Sequence, residues 1–92
     1  MLEEDIERAL GFRGRIRLLR ILSEGGEMYI TQLTRASGLS FEDVDKHLDA
    51  LKALGLVEEK HKDDMRYFSI NFIQLRFNAV RGKGIELELV QP

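Results

Sequence analysis

The two histidines, His47 and His61, are the side chains best suited to chemistry in this sequence, because histidine and carboxylates together form common zinc sites. His47 is flanked by the apolar residues Val44, Leu48 and Leu51, as expected of a histidine packed beside a core. Neither histidine has neighbours at the spacing of a metal site, and the chain contains no cysteine. We therefore expect no metal and no other cofactor.

Catalytic patterns are also missing from the sequence. No nucleophile is accompanied by a base and a residue that would orient the base. The run Gly82-Lys83-Gly84 is too short to cradle a phosphate, and no glycine-rich loop is followed by lysine and serine. We expect that the protein is not an enzyme and that it acts through a binding surface.

Chain length and composition describe one small domain covering residues 1–92. Ninety-two residues suffice for a single modest core and leave no room for a second domain. The sequence starts with acidic residues, unlike a signal peptide, and no apolar run approaches the roughly 20 residues of a membrane span. We expect a cytoplasmic protein without disulfides.

The net charge of −2 conceals a strong division of charge along the chain. Residues 1–7 carry −4, residues 8–39 carry +4, residues 40–59 carry −4, residues 60–83 carry +4, and the remaining tail carries −2. Two basic segments are therefore present in a chain that is acidic overall. Folding can bring such segments together into one basic face.

Apolar residues at helical spacing predict four helices. They cover residues 3–10, 13–24, 32–37 and 41–53, and a glycine follows shortly after each one. Thr31 is the predicted N-cap of the third helix, in which Leu33 and Ala36 point inward. Ser40 is the predicted N-cap of the fourth helix and has Asp43 as its capping-box partner.

Strand patterns accompany these helices. Met28–Ile30 predicts a short bridging strand, and Leu56–Lys62 with Arg66–Asn71 predicts a hairpin around the turn at Asp63-Asp64-Met65. Two helices joined by a short turn that contains glycine, and followed by a hairpin, form a helix-turn-helix with a wing. The predicted fold class is α+β, a winged helix-turn-helix over residues 11–71 with a short N-terminal helix before it.

The C-terminal extension, residues 72–92, has two interpretations. Apolar and polar residues alternate over 73–79 and again over 85–89, on either side of a glycine-rich turn, which predicts a second β-hairpin. The alternative is a helix over residues 72–81. We favour the hairpin, because the helix would leave the final strand without a partner nearby in the sequence.

With these elements in place, residues 11–71 resemble the ArsR-like and MarR-like winged helix transcription regulators. The resemblance rests on the order and spacing of short motifs rather than on any one of them. The motifs are Arg17-Leu18-Leu19-Arg20-Ile21-Leu22, Ile30-Thr31-Gln32-Leu33, Ala36-Ser37-Gly38-Leu39-Ser40, Val44, Lys46-His47-Leu48, Ala50-Leu51, Leu54-Gly55-Leu56-Val57 and Arg66-Tyr67-Phe68-Ser69-Ile70-Asn71.

This resemblance implies sequence-specific binding to double-stranded DNA. Helix 41–53 would lie in the major groove, and wing 56–71 would reach flanking backbone or the minor groove, as in known docking geometries of such motifs. The residues thereby implicated in DNA binding are Thr31, Gln32, Arg35, Ser40, Phe41, Glu42, Asp45, Lys46, Lys60, Lys62 and Arg66.

The outward positions of helix 41–53 depart from the family pattern, because Glu42, Asp45 and Asp49 are acidic and phosphates repel carboxylates. The helix dipole favours an acid in the first turn, where Glu42 lies. Asp49 has Lys46 and Lys52 as candidate partners, and Asp45 is either tolerated or accepts from a cytosine amino group. The alternative function is a protein-interaction winged helix whose acidic helix docks a basic partner.

Phe41 also has two interpretations. It is either a wedge against a thymine methyl group or a residue that packs on its own domain, and we favour packing. The basic side chains Lys60, Lys62 and Arg66 are candidates for phosphate or minor-groove contacts.

Apolar residues outside the winged helix predict a homodimer. Segments 2–12 and 72–90 are not needed for the helix-turn-helix or the wing, yet both are rich in leucine, isoleucine and phenylalanine. Leaving such surface in water is unfavourable by about 25 cal/mol per Å². We expect these segments to form a two-fold interface.

Overall fold

The computed structural model describes residues 3–92, so Leu2 of the apolar N-terminal segment lies outside the described residues. Four helices and five strands follow one another in this part of the chain. They are α1 (Glu3–Leu10), α2 (Arg13–Gly25), β1 (Met28–Tyr29), α3 (Ile30–Ser37), α4 (Phe41–Ala53), β2 (Val57–Lys62), β3 (Met65–Ile70), β4 (Gln74–Val80) and β5 (Gly84–Val90). The α+β winged helix-turn-helix is confirmed.

The core lies where α2, α3 and α4 meet the wing sheet. Its largest fully buried members are Leu18, Leu22, Leu33, Val44, Leu48, Leu51, Leu56 and Phe68. The helical members recur three or four residues apart, so each helix turns one apolar stripe toward the others. Phe68 on β3 anchors the wing in the same core.

The turn between α3 and α4 is held at both ends. Gly38 has a φ of 71°, a left-handed conformation that ends α3. The hydroxyl of Ser40 accepts a hydrogen bond from the backbone N–H of Asp43 at 3.1 Å, which confirms the predicted N-cap of α4. Arg17 of α2 donates from Nη1 to the carbonyl of Ser37 at 2.9 Å. These contacts fix the start of α4 relative to α2.

Helix α3 begins earlier than the sequence predicted, and Thr31 is its second residue rather than its N-cap. Tyr29 occupies the cap position, and its backbone N–H donates to Oε1 of Gln32 at 3.0 Å. The Gln32 side chain therefore satisfies the helix start, and Ile30 is free to be buried as the first helical residue. Ala36, expected to point inward, is exposed.

The wing is part of a three-stranded antiparallel sheet in which β3 lies between β1 and β2. Asp63 and Asp64, with φ of 51° and 63°, form the tight two-residue turn from β2 to β3. Tyr29 of β1 lies opposite Tyr67 of β3, and the two rings pack edge to face with centroids 5.6 Å apart. The wing is thus continuous with the core through β1.

Strands β4 and β5 form a separate antiparallel hairpin, so the predicted hairpin is confirmed and the alternative helix over 72–81 is wrong. The register pairs Leu75 with Leu89, Phe77 with Leu87 and Ala79 with Ile85. Since alternate residues of a strand point to one side, these six side chains share one apolar face. A helix would have scattered them around its axis.

Helix α1 covers only the base of this hairpin. Ile6 of α1 and Leu87 of β5 are both 3% exposed, and Ala9 joins the main core. Residues 76–86, here called the hairpin tip, are all exposed. Within residues 3–92 no helix is long and apolar enough to cross a membrane.

Candidate nucleic-acid interface

One face of α4 is open to solvent from its first residue onward. Phe41, Glu42, Lys46 and Asp49 are exposed on it. Phe41 keeps 49% of its surface exposed, so the expectation that it packs on its own domain is wrong. The physical reason is its place at the end of the helix, where Leu39 already fills the contact with the core.

Asp45 does not point freely outward, because it accepts a hydrogen bond from Nη1 of Arg66 at 2.9 Å. Arg66 lies on β3 and also donates to both carboxylate oxygens of Glu59, from Nε at 3.1 Å and from Nη2 at 3.3 Å. Bidentate arginine–carboxylate pairs are geometrically specific as well as strong. We call Asp45, Glu59 and Arg66 the Arg66 clasp. It joins the middle of α4 to both strands of the wing.

Glu59 is the centre of a larger ion-pair cluster. Its side chain is 9% exposed, with Lys52 Nζ 2.9 Å from Oε1 and His61 Nε2 2.6 Å from Oε2. Hydrogen bonds from Arg66 lower the pKa of Glu59 to about 2; burial opposes this effect, and Lys52 and His61 reinforce it. Glu59 is therefore ionised at neutral pH and binds three basic side chains at once.

The wing lysines are paired as well. Lys62 Nζ lies 2.5 Å from Oε1 of Glu27, which lowers the pKa of Glu27 and raises that of Lys62. Lys60 Nζ lies 3.7 Å from Oε1 of Glu58. Each basic wing residue named from the sequence thus has an acidic partner in its own chain. The lysine pairs are exposed, and exposed pairs exchange readily for other partners.

The remaining candidates lie on α3 and at the start of α4. Thr31, Gln32 and Arg35 are exposed on α3. The side-chain oxygens of Gln32 and Ser40 accept hydrogen bonds from backbone N–H groups at the starts of α3 and α4. Among the residues described, Arg35 and Lys46 take part in no ion pair. These two cations are available to an external anion.

His47 packs against α2, a contact that our sequence reasoning missed. Nε of Arg15 donates to Nδ1 of His47 at 3.3 Å, and the Arg15 guanidinium stacks 4.0 Å from the centre of the Phe12 ring. A Cβ added to Gly14 would come within 2.5 Å of His47 Nε2. Burial, followed by the charge of Arg15, lowers the pKa of His47, which favours the neutral ring that accepts this bond. Gly14 could have indicated this contact from the sequence, because a glycine inside a predicted helix is unfavourable and suggests that another group packs closely there.

Metal-binding geometry is not found in the part of the chain that the structure describes. Across residues 3–92, no group of three or more histidine, aspartate or glutamate side chains is arranged to hold a metal ion. His47 and His61 are engaged instead by Arg15 and Glu59.

Comparison with known families agrees with this geometry. The family model of the bacterial regulatory proteins of the arsR family matches residues 13–59, which run from α2 into β2 and cover half of the chain. The chain belongs to the ArsR family. No curated protein sequence matches this ArsR-family chain.

Solved structures of related proteins share its fold. The homodimeric winged helix-turn-helix DNA-binding domain from Mycobacterium bovis is 28% identical, with a TM-score of 0.64 over 73% of this chain and 64% of that one. NolR from Sinorhizobium fredii is 26% identical, with a TM-score of 0.69 over 76% and 69% of the two chains. The cadmium metal-sensor CMTR from Mycobacterium tuberculosis is 30% identical, with a TM-score of 0.60 over 73% and 69%. This chain spans 64% of the length of the Mycobacterium bovis domain.

Proposed function

We propose that this ArsR-family protein is a homodimeric transcription regulator that binds double-stranded DNA sequence-specifically. Helix α4 lies in the major groove, and the wing, β2 and β3, contacts the flanking backbone or minor groove. The observation that carries the proposal is the open face of α4 beside a wing that the Arg66 clasp holds in place. A major groove admits one helix of this kind, and a two-fold dimer presents two helices to two half-sites. The homodimeric domain from Mycobacterium bovis supports the dimer.

The candidate residues divide into three roles. Arg35 and Lys46 hold phosphates, because both are exposed and neither has an ion-pair partner among the described residues. Phe41 and Glu42, at the exposed start of α4, meet base edges, where phenylalanine suits a thymine methyl and glutamate a cytosine amino group. Asp45 contributes by positioning the wing rather than by reading a base.

Other polar residues complete the proposed interface. Thr31 and Gln32 lie near the DNA backbone, and Ser40 holds the start of α4 toward the groove. Lys60 and Lys62 exchange their exposed carboxylate partners for phosphates on binding, while Arg66 stays in the clasp. This exchange explains how a wing with paired charges still serves an anionic ligand.

The test is a selection from random duplex DNA followed by a salt series on the selected sequence. The logarithm of affinity falls linearly with the logarithm of salt, with a slope of about −0.9 per phosphate contacted. Arg35→Ala and Lys46→Ala weaken binding, and each reduces the slope by about one unit. Arg13→Ala removes an exposed positive charge from the start of α2, at a residue outside the candidate interface and outside the C-terminal hairpin, and serves as the matched control.

A protein-docking function is the second candidate, and one observation favours it. The exposed face of α4 carries Glu42 and Asp49, and the wing turn carries Asp63 and Asp64, so acids accompany the basic residues throughout this surface. Absence of binding to any selected duplex at low salt, or binding that is indifferent to Arg35 and Lys46, would refute the DNA proposal. A basic protein partner would then be the better account of the same surface.

A further inference from the structure

The contact between His47 and Arg15 joins α4 to α2 through a histidine in its neutral form. Nδ1 of His47 accepts the hydrogen bond from Nε of Arg15 at 3.3 Å, so the proton of the neutral ring lies on Nε2. Nε2 lies against Gly14, where an added Cβ would come within 2.5 Å of it. A ring that takes up a second proton no longer accepts from Arg15 and faces a charge of its own sign. The contact is therefore compatible with the neutral ring alone.

Asp43 offers the protonated ring a second partner. It lies four residues before His47 on α4, and side chains at this spacing are neighbours on a helix surface. Burial has the largest influence on the pKa of His47 and lowers it; the charges of Arg15 and Lys46 lower it too, whereas the charge of Asp43 raises it. The Asp43 side chain is exposed and thus accessible to a ring that turns away from α2.

Arg15 is held by two further contacts, so it has no need to follow the ring. Its Nη1 donates to the backbone carbonyl of Arg8, and its guanidinium stacks 4.0 Å from the centre of the Phe12 ring. The charged groups of α1 beside it compensate each other, because Arg8 Nη1 lies 3.9 Å from Oδ1 of Asp5. His47 is therefore the part of this contact that moves.

We infer that His47 is a proton-operated switch at the candidate interface: proton uptake moves its ring from Arg15 on α2 to Asp43 on α4 and strengthens DNA binding in mild acid. The inference rests on the proposed function and names a regulation of the same site. With a neutral ring, the start of α4 presents the exposed carboxylates of Glu42 and Asp43. An imidazolium beside Asp43 compensates one of them and adds positive charge next to Lys46. Affinity then rises, because attachment to DNA is largely electrostatic.

The relevant pH range belongs to His47 and not to the Arg66 clasp. Histidine is the side chain that ordinarily changes its charge between about pH 5 and 8. The pKa of His47 lies below its usual 6.5, so the ring takes up its proton as the pH falls below that value. The pKa of Glu59 is about 2, so the clasp stays ionised throughout this range. The start of α4 therefore changes its charge while the wing keeps its place.

The first test follows the histidine ring signals of the free protein by NMR as the pH is lowered from about 7.5 to about 5. Asp43→Asn removes the second partner and is expected to lower the pH at which His47 titrates. Gly14→Ala places a methyl group where the neutral ring docks and is expected to raise that pH, because the ring is then already displaced from Arg15. A purely structural histidine would not show these opposite shifts.

Asp49→Asn is the matched control for the titration. It makes the same chemical change on α4, two residues after His47, and side chains two residues apart on a helix do not face each other. The His47 midpoint is expected to stay nearly unchanged in this variant. Dispersed amide spectra establish that each variant is folded.

The second test measures affinity for the selected duplex over the same pH range at fixed salt, since affinity also depends on salt. The unmodified protein is expected to bind severalfold more tightly at the acid end, and linkage to one proton limits the rise to about tenfold per pH unit. His47→Gln, whose amide takes up no proton, is expected to lose this rise. His61→Gln removes the other histidine, which lies on β2 beside Glu59, and is expected to retain it.

Two results would overturn the inference. One is a His47 midpoint that Asp43→Asn and Gly14→Ala leave in place or shift in the same direction, and the other is a rise in affinity that His47→Gln retains. The titrations use no DNA. DNA binding without the opposite shifts would therefore refute the switch alone. Opposite shifts without binding to any duplex at any pH would refute the proposed function, and with it the effect on affinity, while establishing the exchange of partners.

Discussion

The wing and the C-terminal hairpin are both antiparallel strand pairs with six or seven residues in each strand, yet they relate to the rest of the chain differently. In the wing, Phe68 is fully buried and Arg66 is bound to carboxylates from β2 and α4. In the hairpin, Phe77 is half exposed and the ion pair at Arg76 stays within the hairpin. The wing is thus completed by its own chain, whereas the hairpin leaves apolar surface exposed. Strand pairing is the same in the two hairpins. The difference in burial comes from the contacts that their side chains make with the rest of the chain.

The largest expected difference comes from the two phenylalanines. Phe68→Ala removes a fully buried ring and is expected to lower the free energy of unfolding by about 3–5 kcal/mol. Phe77→Ala removes a ring that is 53% exposed and is expected to lower it by less than about 1 kcal/mol at concentrations where the protein is monomeric. Urea unfolding measures both values. Equal losses would contradict the contrast between the two sheets.

The acidic partners of the two cross-strand arginines give the next contrast. Glu59→Gln is expected to cost about 2–3 kcal/mol at neutral pH, because the folded protein holds the pKa of Glu59 at about 2 against an ordinary 4.5. A lowered carboxyl pKa stabilises the fold above pH 4.5, and this contribution is lost as the pH falls from 4.5 through 2. Unfolding curves at several pH values should therefore converge for the unmodified protein and the variant at low pH.

Glu88→Gln is the matched control for that experiment. The side chains of Arg76 and Glu88 are 47% and 44% exposed, and surface pairs of this kind contribute about 0–1 kcal/mol. The variant should therefore unfold almost as the unmodified protein does over the same pH range. A pH-independent effect of Glu59→Gln would show that its ion pairs do not stabilise the wing.

The smallest effect concerns the contact between α2 and α4 beneath the candidate interface. Gly14→Ala places a Cβ against His47 Nε2, and such overpacking costs about 1–3 kcal/mol, of which the better helix propensity of alanine offsets up to about 1 kcal/mol. The substitution should become neutral or stabilising in a His47→Ala background, because the clash is then absent. A double-mutant cycle of thermal unfolding measures this coupling. Additive effects would mean that the two residues do not touch.

Local sequence signals predicted most of the elements and few of the contacts between them. The alternation in residues 73–79 and 85–89 indicated the hairpin, because the period of a strand is visible in a few consecutive residues. Ser40 was identifiable as a cap because its partner Asp43 is three residues away. Thr31 was wrongly predicted to be the N-cap, because the Gln32 side chain instead accepts a hydrogen bond from the backbone N–H of Tyr29. This earlier helix start accompanies the burial of Ile30, a tertiary contact that the local sequence does not reveal.

The candidate interface was harder to predict because its key contacts join distant residues. Asp45 and Arg66 are 21 positions apart, whereas the spacing of charges along the sequence indicated only lysines of the same helix as partners for the acidic residues of α4. Lys62 and Glu27 are 35 positions apart and meet only because β1 adds to the wing sheet. The residue types of the interface could be read from the sequence, but their pairing is a property of the folded chain.

The Arg66 clasp has a mechanical consequence. Together with the Lys52–Glu59 ion pair and the shared core, it holds helix α4 and the wing at a set angle and separation. A rigid surface loses little conformational entropy on binding, but it also cannot adapt to its target. Any ligand that contacts both elements must take up the curvature they present, and for a duplex the work of bending depends on how easily its own sequence deforms. Discrimination can then arise at base pairs that no side chain touches.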